Sequence, residues 1–194
     1  MGFKETKPEQ LTDNPFKIIG SDWMLITAGT AESLKIPEAS RRESSILKEE
    51  RYPNRLLTQQ QAAENSLAPG FNTMTASWGG LGVLWERKVA TCYIRPTRHT
   101  FGFVEREPRF TLSFFDEKHR KALTYCGTHS GRNVDKIKGS GLTPVVDGDF
   151  LYFAEARLVL GQLQATVRRN YSSPSIHAAC IVSLVLTDPA LRAS

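Results

Sequence analysis

Three clusters of hydroxyls, cations and flexible backbone in this chain have the residue types to hold an anion or the polar edge of a ring. The first is Asn72-Thr73-Met74-Thr75-Ala76-Ser77-Trp78-Gly79-Gly80. Extended, it puts the hydroxyls of Thr73, Thr75 and Ser77 on one face and Met74, Ala76 and Trp78 on the other, one to hydrogen-bond and one to pack. An ordinary half-buried strand with solvated hydroxyls has the same pattern. The second is Arg95-Pro96-Thr97-Arg98-His99-Thr100, where a strand ends and an amphipathic stretch from Arg98 to Arg106 begins, with Thr97 as the expected N-cap. The first turn of a helix offers free backbone N–H groups and partial positive charge, so arginines and hydroxyls gathered there suit a phosphate. The plainer alternative is two surface arginines at a turn. The third, Gly127-Thr128-His129-Ser130-Gly131-Arg132-Asn133-Val134-Asp135-Lys136, reads either as an anion loop or as a helix–loop–helix link with Asp135 and Lys136 solvated.

Several chemistries lose support. No Walker sequence, GxGxxG, GxSxG or HExxH occurs, which counts against nucleotide hydrolysis, a Rossmann site, α/β-hydrolase chemistry and zinc proteolysis. His99, His119, His129 and His177 show no metal-ligand spacing. His99 reads as a packed or exposed turn residue rather than a general base, because no neighbour in sequence supplies an orienting carboxylate.

The elements that must position these clusters are short. Trp23-Met24-Leu25-Ile26-Thr27-Ala28, closed by Gly29, has the length of a buried strand, and Asn14-Pro15 opens the ordered unit before it. Val89 to Arg95 is a strand stopped by Pro96. Phe110 to Phe115 alternates and meets Asp116, the expected N-cap of a helix running to Cys126 with Gly127 as its stop. Tyr152 to Leu160 reads as one strand with a wet face. Between the first strand and Gly70, residues 31 to 70 hold dense charge, one aromatic (Tyr52) and Pro37, Pro53 and Pro69. They read as an insertion, disordered except for a short helix opened by a Thr58-to-Gln61 capping box; a lid is the alternative. Short strands with helices between them suggest a small barrel.

The chain has 194 residues with 40% apolar content, which suits one domain with one core, and ten Phe and three Trp exclude a disordered chain. Its net charge of +5 is uneven. Residues 71 to 138 carry twelve Lys and Arg against six Asp and Glu, while the segments on either side are close to neutral. A local surplus calls for a local anion, or else is a solvated basic face. Cys92, Cys126 and Cys180 form no CxxC pair, and an odd count favours a reducing compartment over a disulfide framework. Met1 to Asn14 lacks the apolar core of a secretory signal, and no run reaches the length of a membrane span. The longest apolar stretch, Ile176 to Leu186, reads as a buried strand or helix.

In their order along the chain, Asn72 to Trp78, Ile94-Arg95-Pro96 with Arg98 and Thr100, and Ser130-Gly131-Arg132 with Asp135-Lys136 resemble the flavin reductase-like family with the FMN-binding split barrel. Asn14-Pro15-Phe16, Asp22 to Thr27 and Leu112 to Asp116 resemble its flavoredoxin-like branch. The likeness covers about residues 14 to 30 and 71 to 163. It implies a single mainly β domain, a six-stranded antiparallel split barrel with short peripheral helices, paired as a homodimer with FMN at the interface. On this chain it implies that Asn72, Met74, Thr75, Ala76, Ser77 and Trp78 lie along the isoalloxazine. It implies that Arg95, Arg98 and Thr100 bind the 5′-phosphate, with His99 among the cofactor-binding residues, and that Ser130, Arg132 and Lys136 close over the phosphate side. FMN then does the redox work, taking hydride from NADH or NADPH and passing electrons to free flavin, a ferric chelate or a redox partner protein. No catalytic acid, metal, nucleic acid or membrane is implied, and the cytoplasm is the expected location. The alternative is a non-catalytic FMN-binding protein or electron carrier. The chain departs from the family pattern in the insertion at about 31 to 70, in the tail at about 164 to 194, and at His99, which stands where an aromatic ring is usual.

Overall fold

The computed structural model describes residues 4–6, 10–29, 70–84, 86–106, 109–147, 150–161, 165–169, 180–185 and 191–193. The expected insertion, with its Thr58-to-Gln61 helix, lies outside the described residues up to Gly70, and so does much of the tail. Twelve strands are described: β1 (Lys4–Thr6), β2 (Met24–Gly29), β3 (Phe71–Ala76), β4 (Gly79–Leu84), β5 (Arg87–Ile94), β6 (Phe110–Phe114), β7 (Pro144–Asp147), β8 (Phe150–Phe153), β9 (Leu158–Leu160), β10 (Ala165–Arg169), β11 (Cys180–Val185) and β12 (Leu191–Ala193). The helices are α1 (His99–Arg106), α2 (Arg120–Thr128) and α3 (Lys136–Ser140). Where the sequence leads one to expect a single six-stranded barrel, these strands make three antiparallel sheets. The orders are β1-β12-β9-β6-β2-β3, β10-β11-β5-β4 and the hairpin β7-β8.

β2 is central, pairing with β3 on one side and β6 on the other. Its apolar run is continuous because both faces are covered. Met24, Ile26 and Ala28 enter a core with Ile94, Phe101, Val104, Leu112 and Phe114. Leu25 points the other way, into a second core with Phe115, Leu123, Cys126, Phe153 and Val159. Burial of one Leu- or Phe-sized side chain is worth about 1.5–3 kcal/mol, so two such layers hold β2 between α1 and α2. Gly29 pairs directly with Phe71, so residues 30–69 leave and rejoin the sheet at adjacent positions. A long connection between paired residues costs little more than a short one.

At Ser77-Trp78 the chain steps from the edge of one sheet to the edge of the other. The Tyr93 N–H donates to the Trp78 carbonyl (3.2 Å) across this step. Gly79 follows because a Cβ there would stand 2.2 Å from the Thr91 carbonyl oxygen.

Several expected boundaries move. Trp23 lies before its strand with φ 68°, and the Arg120 guanidinium sits 4.0 Å over its ring. Arg120 also donates to the carbonyls of Ser21 (2.6 Å) and Asp22 (3.2 Å). Asp116 makes no cap bond; a 3₁₀ turn over Glu117–His119 leads into α2, and Gly127 lies inside that helix rather than ending it. Tyr152 to Leu160 is broken between β8 and β9, where Arg157 turns back to donate its backbone N–H to Phe114. The helix expected from Arg98 begins at His99. In the tail, Cys180–Val185 is a strand paired with β5 and β10.

Arg157 ties the N-terminal segment to this turn. Its guanidinium donates to both Asp13 carboxylate oxygens (2.9 and 3.0 Å) and lies within 4 Å of Asp22 and Asp116. It is 24% exposed, so screening is partial. Arg157→Ala should lower unfolding stability by about 1–2 kcal/mol in a urea titration, the range for a charge-assisted hydrogen bond discounted for exposure. An unchanged midpoint would make the cluster ornamental.

Candidate functional site

β3, the β5–α1 link, the end of α2 and the loop to α3 enclose two adjoining cavities. One, about 270 Å³, lies among Asn72, Arg98, His99, Thr100, Ser130, Arg132 and Lys136, with Cys126 to His129 at its side. The other, about 200 Å³, is lined by Met74 to Trp78 and Tyr93. Met74, Arg95 and Arg98 line both, so the two form one groove with a cationic end and an aromatic end.

The cationic end is built from backbone geometry upward. Arg95 accepts a hydrogen bond at its carbonyl from the Arg98 N–H (2.9 Å), and Arg98 in turn accepts from the Phe101 N–H (3.0 Å), a turn that feeds α1. The first turn of α1 therefore meets the cavity with its positive dipole end. Asn72 donates from Nδ2 to the Thr100 hydroxyl (2.8 Å), which leaves the Thr100 proton free to donate elsewhere. Asp135 is exposed and has a local role. Its carboxylate caps α3 by accepting from the N–H groups of Ile137 (2.9 Å) and Lys138 (3.1 Å).

Lys136 is buried, and its Nζ donates to the carbonyls of Thr73 and Cys126, both at 2.7 Å. One ammonium thus joins β3, α2 and α3 at the cavity wall. Burial, with Arg98 adding repulsion against a counter-pull from Cys126, pushes its pKa down to about 8. Burial also lowers the pKa of His99, helped by the nearby charges of Arg132, Arg106 and Lys136. The Cys126 thiol is pushed up by burial, opposed by Lys136 and by a hydrogen bond with Ser140. Burial pushes the Cys92 thiol, in the main core, up to about 12.

The hydroxyl face of β3 departs from expectation. The Thr73 hydroxyl is buried between Thr27 Oγ1 (3.0 Å) and the Ile26 carbonyl (3.2 Å). The Thr75 hydroxyl donates to the Leu123 carbonyl. Two of the three hydroxyls therefore fasten β3 to β2 and α2. The opposite face packs as expected at Ala76, in the main core, and at Met74, half-buried against it, while Trp78, beyond the strand, is 54% exposed with the Arg95 guanidinium 5.1 Å over its ring.

All thirteen residues singled out from sequence line one cavity or the other. Tyr93 and Cys126 line the groove without having been singled out. Tyr93 was legible, since in β5 the buried Cys92 and Ile94 force it to the opposite face, beside Trp78. Cys126 was not, because its helical spacing with Ala122 and Leu123 is that of core.

No known family's sequence profile matches the chain. Solved structures do share its fold. An FMN-binding domain of a flavin reductases-like enzyme from Shewanella baltica superposes with TM-score 0.57 at 10% identity over 99% of this chain and 77% of that one. Nitrilotriacetate monooxygenase component B from Bacillus cereus gives 0.57 at 12% identity, covering 96% and 80%. The flavoredoxin of Desulfovibrio vulgaris (Miyazaki F) gives 0.53 at 15% identity, covering 98% and 77%. The chain thus resembles the flavin reductase-like, FMN-binding split-barrel proteins, and at these identities the likeness is one of fold. Among curated sequences, 36 residues are 67% identical to the aromatic-amino-acid aminotransferase of Escherichia coli and 64% identical to the tyrosine aminotransferase of Klebsiella pneumoniae. The match takes in 19% of this chain and 9% of either enzyme, less than a domain.

Two predictions come from the walls of the cavity. A Cβ on Gly131 would stand 2.1 Å from Asn72 Oδ1. Gly131→Ala should therefore displace Asn72 and cost about 1–3 kcal/mol of stability, read by thermal or urea unfolding. Lys136 loses its proton near pH 8 in the folded chain and near 10.5 when unfolded. Between those values the unfolded state binds more protons, so the Lys136 contribution to stability rises with pH. Urea midpoints of the wild type should gain on those of Lys136→Met between pH 7 and pH 10; a constant difference would place the ammonium in solvent.

Proposed function

We propose that the groove binds FMN and that the chain is an oxidoreductase of flavin reductase type. The observation that carries this reading is the joining of a cationic cavity, with no carboxylate lining it among the described residues, to an aromatic one through Arg95 and Arg98. A phosphate monoester suits the first and a flat ring the second. Thr100 and the first turn of α1 would hold the phosphate beside Arg98, with Ser130, Arg132 and Lys136 opposite. The half-buried Met74 and exposed Trp78 would face the isoalloxazine, and the backbone from Thr75 to Ser77 its polar edge. Bound FMN would supply hydride acceptance from NADH or NADPH and electron transfer to free flavin, a ferric chelate or a redox partner protein. The chain's own task is then to bind and orient, and to keep solvent from one face of the ring.

The exposed Val83 and Leu84 on β4, an edge strand continuous with Trp78, support a homodimer in which a second copy covers the aromatic end. On this reading the six- and four-stranded sheets together serve as the split barrel. Two buried free thiols, Cys92 and Cys126, suit the reducing cytoplasm as its place of work.

Arg98→Ala should weaken FMN binding by about 1.5–3 kcal/mol in a fluorescence-quenching titration. An unchanged dissociation constant would move the phosphate elsewhere. Anaerobic mixing with NADH and NADPH tests the activity. Bleaching of the flavin absorption marks a reductase, whereas a flavin that either nucleotide leaves oxidised marks an electron carrier.

A further inference from the structure

His99 is the first residue of α1 and lines the cationic cavity, where its Nε2 is buried with no hydrogen-bond partner. The ring is half-buried and packs edge-on against Phe103 at 5.1 Å. A buried nitrogen without a partner is destabilising unless something supplies one. The charged groups around it are cationic. Arg106 comes from its own helix, Arg132 from the α2–α3 loop, Lys136 from α3, and Arg98 from the link before α1. β2 and β3, on which α1 packs, carry no titratable side chain, and among the described residues no Asp or Glu lines the cavity. The remaining titratable groups at the wall are Cys126, whose thiol burial keeps protonated, and His129, which stacks on Tyr125 at 4.0 Å.

We propose that this cradle takes up a phosphate dianion together with a proton, and that His99 carries the proton. The inference rests on the reading of the groove as a phosphate-ended cofactor site. Without an anion, a positive imidazolium beside three or four fixed cations, in a ring already partly desolvated, is disfavoured, and His99 is neutral. A dianion reverses the sign of the local field. One proton then moves from solvent to the imidazole; no other bond forms or breaks, both nitrogens become donors, and the field of the dianion stabilises the imidazolium. Binding and protonation are therefore linked, and affinity falls as pH rises through the window between the anion-free and anion-bound titrations of His99. A neutral side chain at this position would hold the anion without that dependence.

The test is an imidazole ¹⁵N NMR titration of the full chain, alone, with inorganic phosphate and with FMN. The His99 resonance is assigned by its loss in His99→Gln and by its contacts with the Phe103 ring, so the assignment survives should the variant not fold. Expected is a His99 titration below the ordinary histidine range in the protein alone, moved upward by phosphate and by FMN, with His119 unmoved. Calorimetry in buffers of different ionisation enthalpy, run from pH 7 upward where a phosphate monoester is already dianionic, should show net proton uptake with FMN. Uptake should be smaller in His99→Gln, any remainder belonging to Lys136, and smaller with riboflavin, which has no phosphate. The pH dependence of FMN affinity, up to about tenfold per unit for one linked proton, should flatten in the variant. FMN that binds without moving His99 overturns the proposal and leaves the FMN reading standing. Phosphate that moves His99 in a chain that binds no FMN upholds the proton-coupled site and overturns the FMN reading. A His99 that neither ligand moves overturns the proposal outright.

Discussion

The Lys136 ammonium is the contact on which the site depends. Its two 2.7 Å hydrogen bonds run to Thr73 on β3 and to Cys126 near the end of α2. A cation near the C-terminus of a helix is favoured by the helix dipole. Here the same cation is also covalently part of α3 and is held in the low-dielectric wall of the cavity. Burying a charge is costly, and two short bonds to carbonyls are what make it tolerable. One side chain thereby sets the distance between the strand that lines the groove and the loop that closes it.

The polar groups of β3 follow from that arrangement. With the Thr73 carbonyl taken by Lys136 and its hydroxyl by β2, this residue is entirely structural. Thr75 is likewise engaged by α2. What this stretch leaves for a ligand is the half-buried Met74 and the step through Ser77 to the exposed Trp78, where the chain changes sheets. The groove lies at the seam between sheets because only there do strand edges, a helix start and a loop converge.

Electrostatics add a second constraint. Four cations line the groove, and among the described residues no carboxylate lines the same wall. The acids nearby are used in other ways: Asp135 caps α3, while Asp22 and Asp116 lie with Asp13 around Arg157. Burial first, and neighbouring cations after it, hold two groups in the cradle, Lys136 and His99, below their ordinary pKa values.

Local chemistry made much of this readable in the amino-acid order. Apolar runs bounded by Gly and Pro located β2, β5 and β6, and the surplus of charge in residues 71 to 138 marked the segment that surrounds the groove. The residue types of three motifs named thirteen side chains that do line it. Strand alternation also separated Thr73 and Thr75 from Met74 and Trp78. It could not say that the Thr73 and Thr75 hydroxyls are taken by β2 and α2, because that depends on where those elements pack, and no local pattern contains them. For the same reason Lys136, open in the sequence between a solvated cation and an anion ligand, is a buried strut, the exposed Asp135 is also a cap, and Tyr152 to Leu160, read as one strand, is two. Side-chain type and spacing are properties of a segment; burial, hydrogen-bond partner and local field belong to the pairs of segments that meet, and those pairs exist only in the folded chain.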